Sequence, residues 1–136
     1  MNNFPKSFLT LLNGLLFLLV GGCGGTSGPP EAPKEASKVI VQTRDLLIEA
    51  SFGGAPLQKK ADAKQYEGQF PEAAKAIADG SVVIVWGRLL KEAAASPEIV
   101  AYESIASTAG GWAVKEDAKL YKVNAAEVPA VPKSGK

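Results

Sequence analysis

Val82-Val83-Ile84-Val85-Trp86 is apolar at every position. Side chains of a strand alternate between two faces, so a run like this has no face that suits water. β-branched and aromatic residues also favour the pleated backbone. The run predicts a central strand over 81–87, covered on both sides. A fold that supplies two covers needs other elements, and the flanking sequence offers them. Before the run, 35–50 places Ala36, Val39, Ile40, Thr43, Leu46, Leu47 and Ala50 on one stripe at helical spacing. Val41 and Ile48 fall off the stripe, and Phe52-Gly53-Gly54-Ala55-Pro56 ends the pattern. The segment 57–66 has helix formers but little apolar face, which predicts a short exposed helix or an irregular turn. Phe70-Pro71 opens a further helix, with Pro71 in its first turn. Ala73, Ala74, Ile77 and Ala78 form its face, and Gly80 is the stop.

After the run, 88–97 is polar and alanine-rich and reads as a loop or short helix. Residues 99–103 predict a second strand, with Val100 and Tyr102 on one side. Residues 111–115 and 119–123 predict a final hairpin. Trp112 and Val114 share one side of the first strand, and Tyr121 and Val123 share a side of the second. Asn124-Ala125-Ala126-Glu127 has capping-box spacing and predicts one last helical turn. The expectation is a single α+β domain over 35–129, with N-terminal helices packed on a small, mostly antiparallel sheet of about four strands. Pro129, Pro132 and Ser-Gly-Lys at the end predict a frayed tail over 130–136.

The N-terminus is of another kind. One cation, Lys6, precedes the apolar run 8–20, and Gly21-Gly22 separates that run from Cys23, the single cysteine of the chain. This is the three-part layout of an export signal. The apolar run falls short of the about 20 residues that span a bilayer. It is also broken by Thr10, Asn13 and Gly14. Leu19-Val20-Gly21-Gly22-Cys23 resembles the lipobox of bacterial lipoprotein precursors. That resemblance implies cleavage between Gly22 and Cys23, and lipid carried on the Cys23 sulfur. Residues 1–22 would then be a discarded signal peptide. Residues 23–34 would be the lipidated cysteine and a flexible tether rich in Gly and Pro. Thiolate nucleophilicity suits acyl-glyceryl transfer, and two or more chains anchor a protein stably. Gly24 and Gly25 follow the cysteine where no aspartate stands, which resembles default export to the outer membrane rather than retention at the inner one.

Composition excludes several kinds of chemistry. The chain has 136 residues, 15 basic and 14 acidic side chains, and no histidine. Removing 1–22 takes away Lys6 and leaves the charges balanced. A balanced chain has no electrostatic footprint for nucleic acid and predicts no polybasic patch for anionic lipid. Without histidine, and with the one cysteine committed, a Ser-His-Asp triad, a cysteine nucleophile and the usual zinc ligands are missing. No Gly-rich phosphate loop follows a strand. The expectation is a protein without catalytic, metal or cofactor residues. Glu103, Glu116 and Asp117 could be read as an acid pair or a cation site, but solvated charges around a hairpin are the plainer reading, because calcium needs six to eight oxygens. Trp86, Tyr102, Trp112 and Tyr121 could line a groove, but sheet core is the commoner role of such residues.

The C-terminal half also resembles a group of small bacterial exported proteins whose ends look like type II secretion pseudopilins. The likeness rests on four motifs in order. They are Ile84-Val85-Trp86-Gly87, Val100-Ala101-Tyr102-Glu103, Gly110-Gly111-Trp112-Ala113-Val114 and Asn124-Ala125-Ala126-Glu127-Val128. Two departures stand out. The hairpin turn reads Glu116-Asp117-Ala118 where that group has Asp-Gly, and alanine in the left-handed position of a tight type I′ turn costs about 1–2 kcal/mol, which predicts a longer turn or one of another type. No acid lies between Met1 and Glu31, whereas a prepilin carries a glutamate early in its retained apolar helix. The resemblance therefore implies fold and envelope setting, not filament assembly. The function it leaves is a lipid-anchored, non-catalytic envelope protein that touches the membrane through Cys23 and acts on a protein or cell-wall partner. The alternatives are a minor component of a secretion machine, or a small-ligand-binding lipoprotein or enzyme.

Overall fold

The computed structural model describes residues 32–130. The apolar segment, Gly22, Cys23 and most of the Gly/Pro tether lie outside the described residues, as does 131–136. The described chain folds as helices followed by a four-stranded antiparallel sheet, an α+β domain.

Helix α1 runs Lys38–Phe52. Ser37 caps it in extended backbone, and its Oγ accepts from the Ile40 N–H at 3.3 Å. Three consecutive β-branched residues, Val39-Ile40-Val41, disfavour a helix in isolation. Packing decides otherwise: Ile40, Thr43, Leu46, Leu47 and Ala50 are buried along one stripe. Each large apolar side chain buried in this way contributes about 1.5–3 kcal/mol. The segment that follows makes a one-turn helix, α2 (Lys60–Ala63), and a 3-10 turn over Lys64–Tyr66. Only Leu57 and Ala63 of this stretch are buried.

Helix α3 spans Pro71–Asp79, starts on proline and stops at Gly80, whose φ of +86° is left-handed. Its buried face is Ala73, Ala74, Ala76 and Ile77. Ala78, expected on that face, is exposed, and Ala76 takes the inward place. The reason is that α3 is covered on two sides, by α1 and by β1. No side chain of its own caps α3. Gln42, one turn into α1, lends Oε1 to the Glu72 and Ala73 N–H groups at 3.1 and 3.4 Å.

The strands are β1 (Val82–Ile84), β2 (Ile99–Glu103), β3 (Gly111–Lys115) and β4 (Leu120–Val123), in the sheet order β1-β2-β3-β4. The apolar run thus forms an edge strand, not the expected central one. It is also shorter than the run, since Trp86 and Gly87 already turn. Helix α3 lies against β1, so the apolar character is used in packing rather than in pairing on both sides. Val82 and Ile84 are buried, while Val83 and Val85 are half-buried.

A bulge between Ile99 and Ala101 breaks the alternation of β2. Val100 and Ala101 both join the core under the helices, and Ile99 and Tyr102 join the core on the far side. Val100 and Tyr102 therefore do not share a face. On the helix side, Trp112 and Val114 of β3 meet Lys122 and Leu120 of β4. Tyr121 and Val123 turn to the other side, with Ala113 between them and Tyr102.

That far side is covered by a one-turn helix, α4 (Ala106–Ala109), and by the chain after β4. Residues 124–127 form a hydrogen-bonded turn rather than the expected helical turn. The capping-box bonds are present: Asn124 N–H donates to Glu127 Oε2 at 2.9 Å, and Ala126 N–H to Asn124 Oδ1 at 3.0 Å. No helix continues, because Val128 docks against the far-side core and Pro129 follows.

Candidate functional site

The three carboxylates singled out in the sequence stand at two ends of the sheet. Glu103 ends β2, half-buried beside the start of α1. Its Oε1 accepts from the Ser37 hydroxyl at 2.5 Å and its Oε2 from the Trp112 N–H at 3.0 Å. The carboxylate thus joins the cap of α1 to β3. Gly111 makes room for it, since a Cβ there would stand 3.2 Å from Glu103 Oε2 and 3.1 Å from the Ala106 methyl.

Glu116 and Asp117 lie at the other end, in the turn between β3 and β4. Glu116 is buried, with 4% of its surface exposed. Its Oε1 accepts from Arg88 and from Lys91, each at 3.1 Å. Arg88 also pairs with Glu98. Burial by itself raises the Glu116 carboxyl. Hydrogen bonds from Lys91, the Glu98 backbone and Arg88 outweigh that effect and hold it below its ordinary value. The same contacts with Glu98 and Glu116 raise Arg88. Backbone bonds complete the joint: Lys91 N–H donates to the Glu116 carbonyl at 2.7 Å, and Glu116 N–H to the Glu98 carbonyl at 2.9 Å. The cluster pins the long 85–98 loop to the hairpin turn.

Asp117 turns away from its neighbour. Its Oδ2 accepts from the Tyr121 hydroxyl at 2.7 Å, which raises Tyr121, and its Oδ1 accepts from the Lys119 N–H. Lys115 stands over the Tyr121 ring, 4.6 Å from its centre. The structure therefore does not bring Glu103, Glu116 and Asp117 together. A general acid needs a carboxyl raised toward working pH, and Glu116 is shifted the opposite way. Among the described residues no group of three His, Cys, Asp or Glu side chains could hold a metal ion.

The four aromatics do not form a row. Trp86 and Trp112 pack half-buried on the helix-side core, and Tyr102 and Tyr121 belong to the far-side core. Tyr102 is fully buried, which raises its phenol; its hydroxyl lies 3.5 Å from the Pro129 carbonyl.

Two open clefts lie among the described residues. One, about 640 Å³, runs between α2 and α3 and is lined by Ala61, Ala74 and Ala78 together with Lys60, Lys64 and Lys75. Glu67 lines the same cleft and Asp79 lies close to Lys60 and Lys75, so the lysines are offset locally. The other, about 290 Å³, lies by Arg88, Glu98, Lys115 and Glu127 and is likewise mixed in sign. Neither cleft includes the Glu103 or Glu116 carboxylates.

Compared with known protein families, curated proteins and solved structures, the chain matches none.

Sequence reading missed Arg88 and Lys91 as partners of Glu116, and Gln42 as the cap of α3. No local pattern marks either, because the partners are some 25 to 31 residues apart. Ser37 was within reach: a serine directly before an apolar helical stripe is a start signal. Cys23 and Gly22 lie outside the described residues. Among the described residues no helix is long and apolar enough to cross a membrane.

Proposed function

We propose that the chain is a lipid-anchored envelope protein, held to a membrane through Cys23 and acting by contact with a protein or cell-wall partner rather than by catalysis. The observation that carries this reading is Leu19-Val20-Gly21-Gly22-Cys23, an apolar segment closed by small residues on the only cysteine. The charge chemistry of the domain is consistent with it. Glu116 is locked between two cations, and Glu103 is spent on Ser37 and the Trp112 backbone. These carboxylates serve as joints, which leaves recognition to the surface.

The test is the intact mass of the N-terminal peptide from the membrane fraction, beside a Cys23→Ser control. An acylated peptide that begins at Cys23, absent from the control, is the expected result. An unmodified N-terminus, or cleavage elsewhere, overturns the reading. A second reading, a minor component of a type II secretion machine, draws on the four ordered motifs between Ile84 and Val128. Co-purification with such a machine is the result it requires.

A further inference from the structure

Two large apolar side chains are conspicuously exposed among the described residues: Phe52 at 84% and Ile105 at 57%. They sit at opposite ends of the domain. Phe52 is the last residue of α1, and the neighbouring Ser51 receives the Leu90 N–H of the 85–98 loop. Ile105 is at the other end, in the turn after β2. Glu103, two residues before it, holds the Ser37 hydroxyl at the start of α1. At about 1.5 Å per residue, α1 separates the two ends by roughly 20 Å.

The chain from Cys23 enters the domain at the Ile105 end. Residues 24–31 lie between Cys23 and the first described residue, Ala32, and at full extension such a stretch reaches roughly 30 Å. A stretch of that reach lets the end it enters meet the surface that holds it. The Ile105 end is suited to a lipid interface. From Ser104 to Val114 the sequence carries no charge. Asn124 lies alongside, its Cα 3.6 Å from where a Gly110 Cβ would stand, and its N–H holds the Glu127 carboxylate at 2.9 Å. Asp79, bonded to Ser81, borders the other side, where the Ser104 N–H donates to the Ser81 carbonyl. The turn itself is uncharged and its acids lie on the rim. Glu103, the nearest acid before the turn, is directed inward to Ser37 and Trp112. The turn offers an isoleucine flanked by alanine, serine, threonine and glycine.

We propose that the 104–110 segment, which carries α4, rests on the bilayer interface, with Ile105 inserted among the lipid headgroups. The proposal depends on the anchoring of Cys23 set out above. It makes the 104–110 end the membrane-facing pole and leaves the 85–98 loop and Phe52 pointing away, toward a partner.

The experiment uses the full chain, purified from membranes as Ile105→Cys and, separately, as Phe52→Cys. Each is labelled with an environment-sensitive maleimide dye and placed in phosphatidylethanolamine–phosphatidylglycerol vesicles that contain a brominated lipid. A lipidated Cys23 sulfur is a thioether and takes no dye, so one dye per chain together with firm vesicle binding reports a lipidated Cys23. One dye per chain on protein that washes off instead reports a Cys23 lost to cleavage and overturns the anchor and the proposal together. Apolar tips of interfacial segments sink about 5–10 Å into the headgroup boundary, so dye at position 105 is expected to be quenched roughly twofold or more beyond dye at position 52. One dye per chain, firm vesicle binding and equal quenching at both positions overturn the proposal and leave the anchor standing. Two dyes per chain, with protein that washes off the vesicles, overturn the anchor and the proposal together. Both positions are solvent-exposed, so neither substitution disturbs the core.

Discussion

Replacing Glu116 by glutamine removes a charge from the joint between the 85–98 loop and the hairpin and leaves almost everything else in place. Glutamine keeps the shape. The two backbone bonds, Lys91 N–H to the Glu116 carbonyl and Glu116 N–H to the Glu98 carbonyl, do not involve the side chain and survive. Two charge-assisted bonds at 3.1 Å are weakened. A hydrogen bond to a charged group is worth about 1.5–3 kcal/mol when desolvated. Here only the acceptor is buried: the Glu116 side chain is 5% exposed, Arg88 39% and Lys91 65%. Water screens the cations, and Arg88 keeps Glu98 as a partner. The expected loss at neutral pH is therefore about 1–2 kcal/mol in total, well under the cost of stranding a fully buried ion. For a domain of this size that lowers Tm by about 4–16 °C.

The pH dependence identifies the cause. The folded Glu116 carboxyl lies below its unfolded value near 4.5. Its contribution is therefore fully present above that pH and is lost as pH falls through the lower, folded value. The glutamine variant has no such proton to bind. Thermal and urea unfolding of both proteins from pH 7 down to pH 3 should show a gap that narrows with acid. A gap that stays constant across that range, or no gap at pH 7, would refute the assignment of a charged clamp.

Two further substitutions probe the backbone and the helix joint. Ala118 sits at φ +61° in the three-residue hairpin turn, held by its own N–H to the Lys115 carbonyl at 3.0 Å. Ala118→Gly removes about 1–2 kcal/mol of left-handed strain and gives back part of it as unfolded-state entropy. A net gain of about 0.5 kcal/mol is expected in urea titration, with an unchanged m value; a loss would show the turn is not strained there. Gln42→Ala leaves the Glu72 and Ala73 N–H groups of α3 without their acceptor and should cost about 1 kcal/mol, in the range of a lost cap. Hydrogen exchange at the first turn of α3 should speed up before that of α1, and uniform acceleration would contradict a local role.

Much of the element order was readable in the sequence because it depends on neighbours along the chain. Proline at the first turn of α3, glycine at its end, the stripe of α1 and the bounds of β2 are all local signals, and each is found where it was read. The α+β class follows from them. The resemblance to a lipobox at Cys23 is local as well, since it rests on neighbouring residues alone. What failed to read out depends on distant groups. The apolar run at β1 was apolar for packing against α3 and the core, yet its position at the sheet edge is set by which strand pairs with it. The bulge at Ile99 and Ala101 moved Tyr102 to the face opposite Val100, a choice made by the register with β3. The capping-box bonds at Asn124 formed without a helix, because Val128 found a place on the far-side core.

The candidate site divides in the same way. Glu103, Glu116 and Asp117 were visible as acids near strand ends. Their fates were not, since a carboxylate becomes a buried clamp, a helix joint or a turn cap only when the fold delivers Arg88 and Lys91, Ser37, or Tyr121. Ile105 is an ordinary isoleucine in the sequence. Only the tertiary structure leaves it exposed and sets it beside the point where the chain enters the domain. The sequence by itself determined where α1, α3, β2 and the final hairpin lie and where the cysteine stands, because those are short-range energetics. The tertiary structure alone decided edge from centre, one sheet face from the other and which end of the domain adjoins the tether, because pairing and burial are settled between residues far apart in the chain.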